Sequence, residues 1–220
     1  MSTTLKPFGL KPAFHPSGLD RSTPFAGTNS YTIGTPGYSA NYTLSTGQAF
    51  YQFTPVAVTS AGALTIAGAA TTRLIGSFDG VEFTDSQGRR SVSKWAAKTT
   101  LDASTEIIFW LFTDPQLVYE MQAVGTVANT AIGKGFDFST ATGYTTADGF
   151  AIGNGGAGFS TTALANTPVT AGTGQGQVKC VGLGREVAYP TGELNAWGDT
   201  NTIIQVQIAN SQLVAPSVSA

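Results

Sequence analysis

Apolar and polar residues alternate with a period of two from about residue 49 to residue 125, which is the pattern of β-strands. Aromatic and β-branched residues fill the apolar positions, as in Phe50-Tyr51-Gln52-Phe53 and in the run from Ile107 to Phe112. Turn signals separate the strands at Ser60-Ala61-Gly62, Asp85-Ser86-Gln87-Gly88 and Asp114-Pro115. The pattern predicts a meander of short strands that ends with Glu106 to Thr113 and Leu117 to Val124.

A further turn signal, Asp79-Gly80, stands between two runs that both have strand character, Arg73 to Phe78 and Val81 to Thr84. Glycine accepts a positive φ without steric strain, and Asp-Gly is common where two strands meet. We therefore expect a hairpin or a β-bulge at Asp79-Gly80.

Residues 126 to 175 break the alternation and are rich in Gly, Thr and Ala. This composition predicts a long loop-rich insertion with a few short strands. One helical turn is expected from Thr126 to Ile132, ended by Gly133. Regular strands return at Gln177 to Leu183 and Thr202 to Ile208.

The first 48 residues have a different pattern, because prolines recur too often for a helix or a central strand. Apolar side chains are spaced between the prolines, whereas a merely solvated tail would be polar. We expect residues 1–48 to form an extended arm that lies across a surface, either of its own domain or of a neighbour. The whole pattern predicts an all-β, antiparallel β-barrel- or sandwich-like domain over 49–215, with the insertion at 126–175.

Charge is scarce: Asp, Glu, Lys and Arg make up 11% of the residues, against about 25% in typical soluble chains. Such a chain is suited to burying much of its surface against other subunits. The net charge of −2, with no basic stripe, argues against nucleic-acid binding. No signal peptide and no apolar run of spanning length are present, so we expect no membrane partner and synthesis in the cytoplasm. The lone Cys180 excludes an intrachain disulfide.

Candidate catalytic groups are few. His15 is the only histidine, and a proline-rich arm is a poor support for a catalytic base, so we expect it to make a packing or hydrogen-bonding contact. Most carboxylates stand next to turn residues, and Glu82 with Glu120 is the least implausible pair for glycoside hydrolysis. Gly153 to Gly158 matches G-x-G-x-x-G without the helix that phosphate binding needs. We predict no enzyme activity, no metal and no cofactor.

Several motifs resemble, in order along the chain, a family of tailed-bacteriophage virion proteins known as capsid cement or decoration proteins. The similar stretches are Pro7-Phe8-Gly9-Leu10-Lys11-Pro12, His15 to Gly18, Ile75 to Thr84, Gly88 to Trp95, Asp114 to Ala123, Ile132-Gly133 and Asn195 to Asp199. They span about residues 7 to 210. Ala13 departs from the family pattern, and residues 35–50 lack its Gly-Asp-Pro-Val.

The resemblance implies a β-barrel-like fold and a homotrimer at three-fold positions of an icosahedral head. The partner would be the major capsid protein, on the surface of a virion assembled in the host cytoplasm. The arm would supply the contact residues Phe8, Leu10, Pro12, Phe14, His15 and Pro16, because apolar plugs carry most interface energy. The alternative is a tail or fibre protein that binds host glycan through exposed tryptophans such as Trp95 and Trp197.

Overall fold

A computed structural model describes residues 5, 7–17, 23–25, 41–68, 73–140, 160, 162–170, 175–185 and 194–214. The predicted glycine loop at 153–158 and most of the arm between 18 and 40 lie outside these residues. The regular structure is nearly all β, in mainly antiparallel sheets, so the predicted all-β, sandwich-like class is confirmed. Within the described residues, neither main sheet closes on itself.

The first main sheet has five antiparallel strands, numbered here by their order in the chain. They are β1 (Lys11–Phe14), β11 (Val118–Gln122), β12 (Gly135–Phe136), β15 (Val178–Leu183) and β16 (Ile203–Ile208). Their order across the sheet is β1-β11-β16-β15-β12. The arm therefore supplies one edge strand, and β16 is the central strand.

The second main sheet has seven strands among the described residues. They are β2 (Thr23–Phe25), β3 (Tyr42–Thr43), β5 (Pro55–Val58), β6 (Leu64–Ile66), β7 (Gly76–Thr84), β8 (Arg90–Ser93) and β10 (Thr105–Phe112). The order is β2-β10-β7-β5-β6-β3, and β8 pairs with β7. All pairs are antiparallel except β3 with β6.

Smaller elements complete the domain. They are β4 (Ala49–Phe50) paired with β9 (Ala96–Ala97), β13 (Phe138–Thr140) paired with β14 (Thr162–Leu164), and the short helix α1 (Lys98–Asp102). A 3-10 turn at Asn129–Ala131 confirms the predicted helical turn. Gly133 follows it with φ +84°, a left-handed conformation that suits a residue without a Cβ.

Two apolar cores lie on opposite faces of the seven-stranded sheet. Consecutive strand residues point to opposite faces, and in β5 Val56 enters the second core while its neighbour Ala57 enters the first. The first core is shared with the five-stranded sheet and includes Leu10, Tyr119, Met121, Phe136, Ile204 and Val206. The second is built on aromatic contacts, among them the Phe50 ring 5.4 Å from Phe78 and 5.2 Å from Phe109.

Two local predictions need correction. The meander does not continue past β10, because β11 pairs with β1 and β16 in the other sheet. The turn at Asp114-Pro115 carries the chain between the sheets. At Asp79-Gly80 there is no hairpin: β7 runs through it with a shift in register between Gly80 and Phe78, which is the bulge that was the other expectation.

The predicted arm is extended, but its described parts lie across the chain's own sheets. Residues 11–14 pair with β11, and residues 23–25 pair with β10. The division of the chain at residue 48 stays a prediction. Residues 11–14 and 23–25 of the arm are therefore part of the folded domain.

Candidate protein-contact site on the N-terminal arm

Leu10 fixes the arm to the domain. Its N–H donates to the Phe53 carbonyl at 2.7 Å, and its own carbonyl accepts the Ser77 hydroxyl at 2.6 Å. The side chain is fully buried in the first core. Leu10 is therefore available to another protein only if the arm leaves the domain.

The approach of the arm is close enough to require glycine before Leu10. Gly9 has φ +80°, and a Cβ there would lie 2.2 Å from the Phe53 carbonyl oxygen and 2.5 Å from the Ser160 Cβ. Phe53 itself has φ +64°, which strains a bulky residue. Its N–H donates to the Phe78 carbonyl at 2.6 Å. The bonds on both sides hold Phe53 in this conformation and leave its carbonyl facing the arm.

Strand β1 ends in an exposed aromatic residue of the predicted contact set. Phe14 pairs with Val118 at the sheet edge, and 42% of its surface is exposed. The register shifts between Pro12 and Phe14, which leaves Ala13 as a bulge residue. Pro12 has no N–H to donate, and an edge strand is where a sheet tolerates proline. Phe14 is thus a large aromatic side chain that the folded arm leaves exposed at the sheet edge.

The other predicted contact residues surround this strand. Phe8 is half-buried, and the Lys11 Nζ lies 5.7 Å from its ring centroid, a cation–π distance. Pro12 is half-buried and Pro16 is exposed. Their contact with a capsid stays a prediction.

His15 connects the arm to the turn between the two sheets. Its Nε2 lies 3.0 Å from the Asp114 Oδ2, and its imidazole is nearly buried, with 6% of the side chain exposed. The contact has ion-pair distance but not the alignment of a hydrogen bond. On the other side of the ring, Nδ1 accepts the Ser17 N–H at 3.0 Å and lies 2.5 Å from the Ser17 hydroxyl.

Ser17, His15 and Asp114 share the residue types of a hydrolase triad but not its arrangement. A triad needs an aligned bond from the imidazole to the carboxylate, with the second ring nitrogen free to accept the serine proton. Here the Nδ1 lone pair already receives the Ser17 backbone N–H, and the Asp114 contact is not aligned. The group closes a turn and holds the arm against residue 114. Sequence reasoning did not identify Ser17, because its role depends on the folded turn.

Tyr119 lies directly under the arm, paired with Pro12. Its hydroxyl donates to the Phe112 carbonyl at 3.1 Å. Burial, with a smaller contribution from the Asp114 carboxylate, raises the pKa of Tyr119 well above its ordinary value. The phenol therefore stays neutral and serves as a structural donor.

The two carboxylates considered for glycoside hydrolysis lie in different sheets. Glu82 on β7 accepts the Arg90 Nε at 2.7 Å. Glu120 on β11 is buried and accepts the Arg185 N–H at 2.8 Å. Both are occupied by donors within the fold. Among the described residues, no group of three His, Cys, Asp or Glu side chains could hold a metal ion.

The tryptophans divide between surface and core. Trp95 is 36% exposed, and its ring stacks on Tyr51 with centroids 6.5 Å apart and planes 17° apart. Beside this pair, Asp79 accepts the Lys94 Nζ at 2.7 Å and the Gln52 amide at 3.2 Å. Trp197 instead packs against the first core. Of this predicted glycan-binding pair, Trp95 is exposed and Trp197 is half-buried.

Two other expectations can be compared with the described residues. Cys180 is a free, buried thiol on β15, as predicted for an ordinary strand residue. No helix in the part of the chain that the structure describes has the length and apolar character of a membrane span.

No family model, curated protein or solved structure matches this chain. The resemblance to capsid cement proteins therefore stays a prediction.

Proposed function

We propose that this protein is a structural virion protein that binds and cements the major-capsid-protein shell of a tailed-phage head. One observation carries the proposal: an arm that is fixed to its domain by buried Leu10 exposes Phe14 at the open edge of a sheet. An aromatic side chain on a rigid base loses little conformational freedom when it enters a pocket. The resemblance of the arm's sequence supplies the identity of the partner.

The surface composition supports assembly with other subunits. Large apolar side chains are exposed at Phe14, Val92, Trp95, Ile132, Leu194, Leu213 and Val214. Only 11% of the residues are charged, so few charges must lose water when such a surface is buried. Contact between copies at three-fold positions would use part of this surface.

A trimer would strengthen the attachment without stronger individual contacts. Once one arm is bound, the other two act at a high effective concentration, and linked sites can gain about 10²- to 10⁴-fold in avidity. Proline also limits the freedom of the unbound chain, and Pro12 and Pro16 flank the exposed Phe14. Slow dissociation from the shell follows from these two effects.

The test is a single charged substitution rather than deletion of the arm, because deletion would also remove Leu10 from the core. Phe14→Asp should leave the fold intact and reduce co-sedimentation with phage heads by about tenfold or more. Val92→Asp is the matched control, since Val92 is 74% exposed on β8 of the other sheet. Binding that survives Phe14→Asp would remove the arm from the mechanism.

The oligomeric state is tested separately. Sedimentation equilibrium should give the mass of three 22.7 kDa chains at micromolar concentration. A monomer across the whole concentration range would overturn the homotrimer.

A second candidate function is glycan binding by a tail or fibre protein, which the stacked Tyr51–Trp95 pair favours. Sugars stack their apolar faces on such rings, and Asp79 and Gln52 beside the pair are suited to hydrogen-bond hydroxyl groups. A glycan array with the native protein and Trp95→Ala separates the two functions. Glycan signal that Trp95→Ala abolishes and Val92→Ala retains would favour this candidate over the capsid proposal.

A further inference from the structure

A groove of about 980 Å³ lies at the edge of the five-stranded sheet opposite the arm. Its floor includes Gly135 of β12 and Lys179 of β15, which are paired in the sheet register. Residues 168–170 form one wall, fixed by a bond of 2.9 Å from the Val169 N–H to the Gly135 carbonyl. Such a volume is at the upper end of the roughly 300–1,000 Å³ of sites for organic ligands.

The floor depends on two glycines whose backbones are in close contact. A Cβ on Gly176 would lie 2.5 Å from the Phe136 N, and one on Gly135 would lie 3.1 Å from the Gly176 N. Any side chain at Gly176 would force this backbone apart. The shape of the groove is therefore built into the sheet edge.

Two lysines line the groove, and among the described residues neither has the kind of partner that the other described lysines have. Lys94 and Lys98 pair with carboxylates, and Lys11 lies over an aromatic ring. Lys134 and Lys179 are exposed and have no carboxylate partner among the described residues. The two lysines without a described carboxylate partner thus lie in the same groove.

None of the described residues that line the groove is acidic. The nearest carboxylate in sequence, Asp137, accepts the Gln177 N–H at 3.1 Å and is not part of the lining. Two like charges in one recess repel each other and favour an anion there. The positive charge of the two lysines is therefore not balanced by any described acidic residue in the groove.

The walls add apolar contact to the charge. Pro168, Val169 and Ala209 line the groove beside the lysines. A small inorganic anion would use the charges but leave these apolar surfaces and most of the volume empty. A peptide with carboxylate side chains would use both, because its backbone and methylene groups would cover the apolar wall.

We propose that this groove binds an acidic, extended peptide segment of a neighbouring protein subunit, with Lys134 and Lys179 contacting its carboxylates. That the neighbour is a virion subunit rests on the proposed function. The groove and the arm lie at opposite edges of the five-stranded sheet, so one molecule would contact partners on two sides.

The test measures peptide binding without phage heads. Fluorescently labelled hexaglutamate is titrated with the native protein and with Lys134→Gln/Lys179→Gln, and anisotropy is recorded. We expect the double variant to bind at least about tenfold more weakly, and native binding to weaken with added salt. Lys94→Gln is the matched control, because Lys94 is already paired with Asp79 at 2.7 Å. It should bind within twofold of the native protein.

A second variant tests the shape of the groove independently of its charge. Ala209→Trp should block the recess and weaken hexaglutamate binding while both lysines remain. Inorganic phosphate and free glutamate are titrated as competitors. Peptide binding that is absent in the native protein, unchanged in the double variant, or displaced equally well by phosphate would overturn the proposal. Because no head is present, this result is independent of whether Phe14 binds a capsid.

Discussion

The two main sheets differ in how their positive charges are neutralised. On the β7–β8 hairpin, Arg90 and Lys94 pair with Glu82 and Asp79 at 2.7 Å. On the edge of the five-stranded sheet, Lys134 and Lys179 have no such partner among the described residues. A charge that is already paired within the molecule gains little from contact with a second molecule. An unpaired charge can still form a favourable ion pair with one.

The difference also concerns the acids. In the seven-stranded sheet the carboxylates face lysine and arginine side chains. In the five-stranded sheet Glu120, on β11, is buried and accepts the Arg185 backbone N–H at 2.8 Å. The acid of that sheet is thus buried, whereas Lys134 and Lys179 near its edge are exposed. We infer that the five-stranded sheet, with the arm at one edge and the groove at the other, is the binding side of the molecule.

The largest expected effect tests whether the two sheets fold as one unit. Leu10→Ala in the first core and Phe109→Ala in the second should each destabilise the protein by about 2–5 kcal/mol. Both should shift a single urea transition, because the seven-stranded sheet lies between the cores. Circular dichroism and tryptophan fluorescence measure it. Phe14→Ala, at an exposed position, is the control. Two separate transitions would show that the two sheets unfold independently.

A smaller effect is expected at the glycine under the arm. Gly9→Ala should destabilise by about 1–3 kcal/mol, because alanine meets both a positive φ and the Phe53 carbonyl. Gly47→Ala is matched in backbone, with φ +82° and nothing within 4 Å of its Cβ. It should lose only about 1 kcal/mol. Thermal melting of both variants separates the cost of the clash with the Phe53 carbonyl from the cost of the positive φ. Equal losses of stability would show that the arm moves away from Phe53 without a cost in free energy.

The thiol in the five-stranded sheet gives a dependence on pH. Burial raises the pKa of Cys180 from 9.0 to about 11. The unfolded chain loses this proton first, so the folded state binds more protons between pH 9 and 11 and stability falls as the pH rises. The decline should be shallower in Cys180→Ala, measured by urea titration at each pH. An identical pH dependence in both proteins would contradict this assignment.

The smallest effect compares the two kinds of lysine directly. Lys94→Gln should destabilise by about 0.2–1 kcal/mol, because it breaks the contact with Asp79 at the surface. Lys179→Gln should change stability by no more than about 0.5 kcal/mol. Paired denaturation curves measure both. A larger loss at Lys179 would reveal an intramolecular partner and remove the contrast between the sheets.

Much of the fold could be predicted from local pattern. The period of two identified the strands at Thr105–Phe112, Val178–Leu183 and Ile203–Ile208. The sequence Asp85-Ser86-Gln87-Gly88 predicts the turn at these residues, and in the structure Asp85 accepts the Gln87 and Arg89 N–H groups and Gly88 has a positive φ. These features depend on residues close together in sequence.

Pairing between distant strands was harder to predict. Alternation does not show which sheet a strand joins, so the chain's crossing after β10 was missed. The arm's proline content indicated extension, but the burial of Leu10 depends on Phe53 and Ser77, far along the chain. The groove gave no local signal, since it joins residues near 134, 169, 176 and 209.

The position of β16 at the centre of its sheet has a consequence for synthesis. Ribosomes synthesise a chain from its N-terminus to its C-terminus. Residues 203–208 are therefore made after the other four strands of their sheet. Until then β1–β11 and β12–β15 are two separate ribbons with unpaired inner edges, which are prone to join other chains. We expect a chain that is stopped before residue 203 to keep both inner edges unpaired and to aggregate more readily than the 220-residue chain.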